Sequence, residues 1–232
     1  MPYYHSLSNI ILMEQETWLH KHITLHSYDN RKEDLVSAWS HAIGMVFGLV
    51  ALILLAKKGY HTGDTGTALG YILYGFTIII LFTSSTLYHF FEPSDRKRLM
   101  RIFDHMSIYL MIAGTYTPIT IAMGGVWGWS IFATIWTLAF LGMILKILFW
   151  GKFGIFHVLF YIAMGWLVVI GWNQVASHVH PRFLTYAMAG GITYTLGTIV
   201  YAMKKIPYYH GIWHLFVLGG NICFFLGIYY YI

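Results

Sequence analysis

The amino-acid sequence predicts an all-α integral membrane protein, a bundle of seven transmembrane helices with its N-terminus in the cytoplasm and its C-terminus outside. Of its 232 residues, 58% are hydrophobic and only 10% are charged, whereas a soluble domain carries about 25% charged residues. A chain with so few charges cannot cover a water-facing surface. Its apolar stretches are also long and continuous, unlike the short alternating strands of a membrane β-barrel.

Seven segments are long enough to cross a bilayer, for which a helix needs about 20 mostly apolar residues. In chain order they are 38–56, 67–90, 102–123, 127–148, 156–172, 183–203 and 211–232. The connections between them are short and hold the glycines and prolines that break helices. Consecutive segments should therefore be antiparallel neighbours in one membrane domain over residues 36–232, preceded by a cytoplasmic tail over residues 1–35.

Two interpretations of the tail stay open. Leu7, Ile10, Ile11 and Trp18 fall near one helical face, which is typical of an amphipathic helix that lies on the membrane surface. The alternative is a flexible tail.

Lysine and arginine predict the orientation, because cytoplasmic loops of membrane proteins carry an excess of them. The side that includes the N-terminus holds eleven: Lys21, Arg31, Lys32, Arg96, Lys97, Arg98, Arg101, Lys146, Lys152, Lys204 and Lys205. The other side holds three: Lys57, Lys58 and Arg182. Since the basic residues lie in short loops, the net charge of +5 does not indicate a nucleic-acid partner. No protein partner is evident either, and membrane lipid is the expected surrounding.

Asp104 is the one acidic residue expected inside a span, because the other eight fall in the tail or the loops. A carboxylate within the membrane is costly and usually marks a functional site. The simpler alternative is an interfacial Asp104 that pairs with Arg101 or caps its own helix. The single Cys223 lies in an apolar run, which excludes an internal disulfide framework and a cysteine-rich metal site.

Three histidines and a serine should lie at the same depth as Asp104. Ser85 and His89 end the second span, and His210 and His214 open the seventh, with four-residue spacings that put each pair on one helix face. The second span ends, and the third and seventh begin, on the same side of the membrane. Three imidazoles with an open fourth position are typical of a catalytic zinc site, in which Asp104 would hold a bound water molecule and Ser85 would support the site.

Other interpretations of these residues remain. A haem held by two histidines would leave Asp104 without a role. A nucleophilic triad of serine, histidine and aspartate is a second alternative, although Ser85 and His89 are better placed as stacked neighbours on one helix.

Further histidines also fall near span ends. His41 and His157 lie at cytoplasmic ends and could join the layer, with His41 the better candidate, but hydrogen bonding at the interface is the simpler expectation for both. His105 points about 100° around its helix from Asp104 and should face another helix.

Four stretches resemble the haemolysin III family, the bacterial branch of the progestin and adiponectin receptor (PAQR) superfamily. They are EDLVSAWSH at 33–41, SSTLYH at 84–89, FDHMSIYLMIAGTYTP at 103–118 and HGIWHLFV at 210–217. Ser37 stands where the family often has Asn, and Phe103 where Leu is common. The resemblance implies seven helices with the N-terminus inside the bacterial plasma membrane. It also implies Zn²⁺ held by the histidines at positions 89, 210 and 214, with Asp104 acting through water.

The resemblance leads to three functional hypotheses. The superfamily is similar to lipid amide hydrolases, which implies a zinc-dependent hydrolase of a lipid-like amide or ester that acts in membrane lipid homeostasis. The family name instead implies a cytolytic, pore-forming protein, but the predicted spans lack the run of polar residues that would line a wide channel. The third hypothesis is a receptor-like protein in which zinc is structural.

Overall fold

The computed structural model describes residues 17–25 and 31–232. Within these ranges the chain forms nine α-helices and one 3₁₀ turn, with no strand. The helices are α1 Trp18–His22, α2 Arg31–Thr62, α3 Thr65–Phe90, α4 Asp95–Met123, α5 Gly125–Leu148, α6 Gly154–Gly165, α7 Trp172–His178, α8 Pro181–Ala202 and α9 Tyr209–Tyr231, and the 3₁₀ turn Leu167–Val169 lies between α6 and α7.

Six of these helices, namely α2, α3, α4, α5, α8 and α9, are long and apolar enough to cross a membrane. Each coincides with one predicted span, so the prediction of an all-helical, multi-pass membrane protein is confirmed. Among these six, α2 begins at Arg31 and ends at Thr62, nearly two turns beyond the predicted span at both ends. This extension brings Asp34 into a helix, whereas the sequence analysis assigned it to the tail.

The predicted span 156–172 differs most, because it is not one continuous helix. The helix α6 ends at Gly165, and the 3₁₀ turn follows before α7 begins. The Tyr116 hydroxyl, on α4, lies 3.3 Å from the Met164 carbonyl oxygen and 3.0 Å from that of Gly165, and it accepts a hydrogen bond from the Val168 N–H at 3.0 Å. Backbone groups that a break frees within a membrane need such partners, so Tyr116 makes the interruption tolerable.

The interrupted segment nevertheless follows α4 along its length. His157 of α6 contacts Tyr109 of α4, and Gly165 contacts Tyr116 two turns further on. Asn173, the second residue of α7, lines a cavity together with Trp127 at the start of α5. The chain from α6 to α7 therefore passes from near the middle of α4 to the end of the bundle where α4 finishes.

The helix α3 packs between α2 and α4. Its side chains Tyr71, Tyr74, Ile78 and Phe82 are at most 1% exposed. Small residues allow the helices to approach closely, as is common in membrane bundles. A Cβ atom on Gly44 of α2, for example, would stand 2.2 Å from the ring of Phe82.

The tail segment 17–25 packs against the beginning of α4. The Arg98 side chain donates to the Ile23 carbonyl at 3.2 Å, and Arg101 donates to the Thr24 hydroxyl at 3.2 Å. The prediction of a surface helix in the tail rests on Leu7, Ile10 and Ile11, which lie outside the described residues. That prediction therefore stays open, although Trp18 belongs to α1.

Candidate metal centre

Three buried histidines from two helices meet at one end of the bundle. His89 lies in the last turn of α3, and His210 and His214 lie in the first two turns of α9. One ligand nitrogen from each histidine lies within 4.8 Å of the other two. His89 is 0% exposed, His210 8% and His214 2%. The structure thus brings together the three imidazoles that helix spacing and span parity predicted, in a group that could hold a metal ion.

Close packing against α2 sets the position of α9. Tyr208, just before α9, adopts a left-handed backbone conformation with φ 58°, which turns the chain into the helix. Gly211 then lies against α2, where a Cβ atom would stand 3.0 Å from the Val36 side chain. Because a glycine occupies this point, His214 one turn later can reach the backbone of α2 at Ser37.

Hydrogen bonds fix which nitrogen two of the imidazoles present to a metal. Nδ1 of His89 lies 2.9 Å from Oδ1 of Asp34. Nδ1 of His214 lies 3.0 Å from both the Ser37 carbonyl oxygen and the Ser40 hydroxyl. Each Nδ1 therefore carries the proton and donates it, so that Nε2 is the nitrogen with the lone pair. A second hydrogen bond of this kind is the usual companion of a metal-binding histidine, and the donor set fits Zn²⁺.

Asp34 is the residue of this site that the sequence analysis missed. It is 6% exposed, and its Oδ2 lies 2.5 Å from the Lys97 ammonium and 3.5 Å from the Arg31 guanidinium. The sequence places Asp34 in the tail because the apolar stretch begins only at residue 38, whereas α2 begins at Arg31. A signal was present, since Asp34, Ser37 and His41 recur at spacings of three and four and share one helix face.

Ser85 and Asp104 lie beside the imidazoles. Ser85 is fully buried one turn before His89, and its hydroxyl forms no hydrogen bond with a histidine among the described residues. The Asp104 carboxylate lies near the Ser85 hydroxyl and within electrostatic range of His89. Its oxygens do not belong to the cluster of ligand atoms that the three histidines form. In the described part of the chain, no direct ion pair joins Asp104 to Arg101. The Arg101 guanidinium packs over the Trp150 ring at 5.5 Å and remains within electrostatic range of the Asp104 carboxylate.

The other histidines near this end of the bundle, His41, His157 and His105, have different surroundings. His41 of α2 stacks on His214, and within residues 17–25 and 31–232 neither of its ring nitrogens has a hydrogen-bond partner. The hydrogen bonding expected for His41 is therefore not found, whereas Nδ1 of His157 lies 2.7 Å from the Tyr109 hydroxyl. His105 packs against Trp150, with the ring centroids 5.3 Å apart, and its Nδ1 also lies 3.6 Å from Oδ2 of Asp104.

Comparison with known proteins agrees with this architecture. The family model described as Haemolysin-III related matches residues 30–225. Hemolysin-3 of Bacillus cereus is 38% identical over 202 residues, which cover 87% of this chain and 92% of that protein. The Hemolysin-3 homolog of Bacillus subtilis (strain 168) is 34% identical over 201 residues, which cover 86% of this chain and 94% of that protein.

A more distant relative extends the similarity beyond bacteria. Monocyte to macrophage differentiation factor of Homo sapiens is 28% identical over 210 residues, which cover 86% of this chain and 84% of that protein. The family-model match over residues 30–225 includes every residue of the histidine cluster. The chain belongs to the haemolysin III family and is related to the PAQR superfamily.

Proposed function

We propose that this protein is a zinc-dependent hydrolase of a lipid-like amide or ester in the bacterial cell membrane. The observation that carries the proposal is the cluster of three buried imidazoles, which lies beside a carboxylate and a buried hydroxyl. His89, His210 and His214 would hold the ion. Three histidines with a fourth position open to water or substrate are the ligand set of catalytic zinc.

The chemistry divides among few groups. A bound zinc ion would lower the pKa of a water molecule to about 7 and polarise the substrate carbonyl. Asp104 would accept the proton of the attacking water and then deliver it to the leaving nitrogen or oxygen. Ser85 would orient the Asp104 carboxylate or donate a hydrogen bond to the developing oxyanion.

The proposed orientation puts this chemistry at the cytoplasmic edge of the membrane. The cluster lies where α3 ends and α9 begins, and the positively charged loops lie at the same end. The segment α6–α7 supports seven crossings, because it follows α4 and would carry the chain from the cytoplasmic end of α5 to the outer start of α8. A substrate with its acyl chain in lipid and its polar head in the cytoplasm suits such a site.

The alternative of a haem held by two of these histidines is disfavoured. The ring centroids of the three imidazoles are 4.7 to 5.1 Å apart. Two axial imidazoles stand on opposite faces of a porphyrin, and these buried rings are too close to admit one. A nucleophilic triad is also disfavoured, because the Ser85 hydroxyl forms no hydrogen bond with a described histidine.

The names of the two bacterial relatives make cytolysis the second candidate function. Against a wide pore, the interior of the bundle beside α3 is filled by large buried side chains such as Tyr74 and Phe82. A receptor-like protein with structural zinc would use the same ligands as the hydrolase. Turnover of a panel of lipid amides and esters by the purified protein tests the choice. Zinc-dependent hydrolysis that stops when a chelator removes the metal is expected, whereas a zinc-loaded protein that hydrolyses none of the panel would favour the receptor-like alternative.

A further inference from the structure

We propose that Asp34 is a positioning residue of the metal centre, which fixes the tautomer and the direction of the His89 ring and thereby sets the affinity for the metal. This inference rests on the proposed metal site. It concerns a residue of α2, a helix that supplies none of the three histidine ligands but contacts two of them.

The two oxygens of Asp34 have separate partners. Oδ1 accepts a hydrogen bond from Nδ1 of His89 at 2.9 Å, while Oδ2 accepts one from the Lys97 ammonium at 2.5 Å. Lys97 is itself held by the Phe91 carbonyl at 3.0 Å and is only 2% exposed. The carboxylate therefore cannot swing away from His89 without breaking a buried ion pair.

Asp34 and His89 form the carboxylate–histidine pair that accompanies a metal ion in many metalloproteins. A proton on Nδ1, held by the carboxylate, leaves the Nε2 lone pair for the metal and makes it a stronger donor. The same helix acts on His214 through the Ser37 carbonyl and the Ser40 hydroxyl. Asp34 differs from these two groups because it brings a negative charge, which favours a cation bound on the far side of the His89 ring.

A purely structural role is the competing explanation, since the Asp34 contacts join α2 to α3 and α4. Two substitutions separate the explanations. Asp34→Asn is nearly isosteric but removes the charge. Asp34→Glu keeps the charge for Lys97 and moves the oxygens by one methylene group away from the position that faces Nδ1 of His89.

The experiment measures the dissociation constant for zinc, by chelator competition with the purified protein in detergent, and the visible absorption of the cobalt-substituted form. Asp34→Asn is expected to weaken zinc binding about 10- to 100-fold, and Asp34→Glu about 10-fold, because both disturb the partner of a metal-binding imidazole. Both should shift the cobalt bands. Asp64→Asn is the matched control, because Asp64 caps the opposite end of α3, and it should change neither quantity.

A second background tests the route of the effect. The His89→Ala protein should lose its zinc on purification, so the residual affinity of the two remaining histidines is measured by titration with excess zinc. Adding Asp34→Asn should not weaken that residual affinity further, because the ring on which Asp34 acts is gone. An equal loss in both backgrounds, or unchanged affinity and cobalt spectra in both Asp34 variants, would overturn the inference. A wild-type protein that binds no zinc would instead contradict the metal site, and zinc binding without hydrolysis would contradict only the proposed reaction.

Discussion

His41 stacks face to face on His214, with the ring centroids 3.5 Å apart and the ring planes 17° apart. The Phe82 ring also packs against His41, with the ring centroids 5.0 Å apart and the ring planes perpendicular. His41 is 3% exposed, and neither ring nitrogen has a hydrogen-bond partner within the described residues. The His41 ring thus supports His214 by packing, and its buried nitrogens carry a desolvation cost.

This stack makes a prediction about His41 variants. His41→Phe keeps an aromatic surface against His214 and removes the two unsatisfied nitrogens, so the free energy of unfolding should be maintained or rise by about 1 kcal/mol. His41→Ala leaves a cavity beside the metal site and should lower it by about 2–4 kcal/mol. Thermal unfolding in detergent, followed by circular dichroism, measures both. If the two variants were equally destabilised, the nitrogens of His41 would have partners.

The break between α6 and the 3₁₀ turn makes a prediction about Tyr116. Tyr116→Phe removes the hydroxyl that bonds the backbone of residues 164, 165 and 168, and should lower the free energy of unfolding by about 1–3 kcal/mol because buried backbone groups lose their partner. Tyr74→Phe is the matched control, since the Tyr74 hydroxyl is buried without a hydrogen-bond partner among the described residues. Equal losses for both variants would show that the Tyr116 hydroxyl does not stabilise the break.

The topology makes a prediction for reporter fusions. Positions on the basic side should report the cytoplasm and positions on the other side the outside, because the basic loops stay inside. Fusions after Lys97, Lys152 and Lys205 are expected to be cytoplasmic, and fusions after Gly63, His180 and Ile232 to be external. A cytoplasmic report at Ile232 together with cytoplasmic reports at Lys97 and Lys152 would mean that the chain crosses the membrane six times and that α6–α7 turns back.

The roles of Asp104 and His89 predict different losses. Asp104→Asn can still hydrogen-bond a water molecule but cannot take its proton, so it should keep most of the zinc and lose hydrolytic activity by about 10²-fold or more. His89→Ala should lose zinc and activity together, because it removes a ligand. Zinc content measured beside turnover distinguishes the two.

Two other outcomes for Asp104→Asn have clear meanings. Loss of zinc as complete as in His89→Ala would make Asp104 a direct ligand. Retention of both zinc and full biological function would favour a structural metal and a receptor-like protein.

The histidine cluster was predictable because its determinants are local. A four-residue spacing puts His210 and His214 on one helix face, and counting spans brings the end of α3 to the beginning of α9. Hydropathy alone likewise predicted six of the spans, which the long helices of the structure match.

The sequence could not reveal features that depend on contacts between distant helices. The helix break near Gly165 depends on the Tyr116 hydroxyl, which comes 49 residues earlier. Asp34 looked like a tail residue because hydropathy does not detect the polar first turns of α2, and its partner His89 is 55 residues away. The stacking of His41 on His214 joins residues at opposite ends of the chain and has no periodicity of its own.

If His89, His210 and His214 bind one zinc ion, the purified protein should contain it. Elemental analysis should find about one zinc per chain in the wild type, since three imidazoles and one water complete a tetrahedral site. The double variant His210→Ala/His214→Ala should retain almost none, while His178→Ala, which changes a histidine at the end of α7, should retain it fully. Full zinc in the double variant, or a strong haem absorbance in the wild type, would show that these histidines do not form a zinc site.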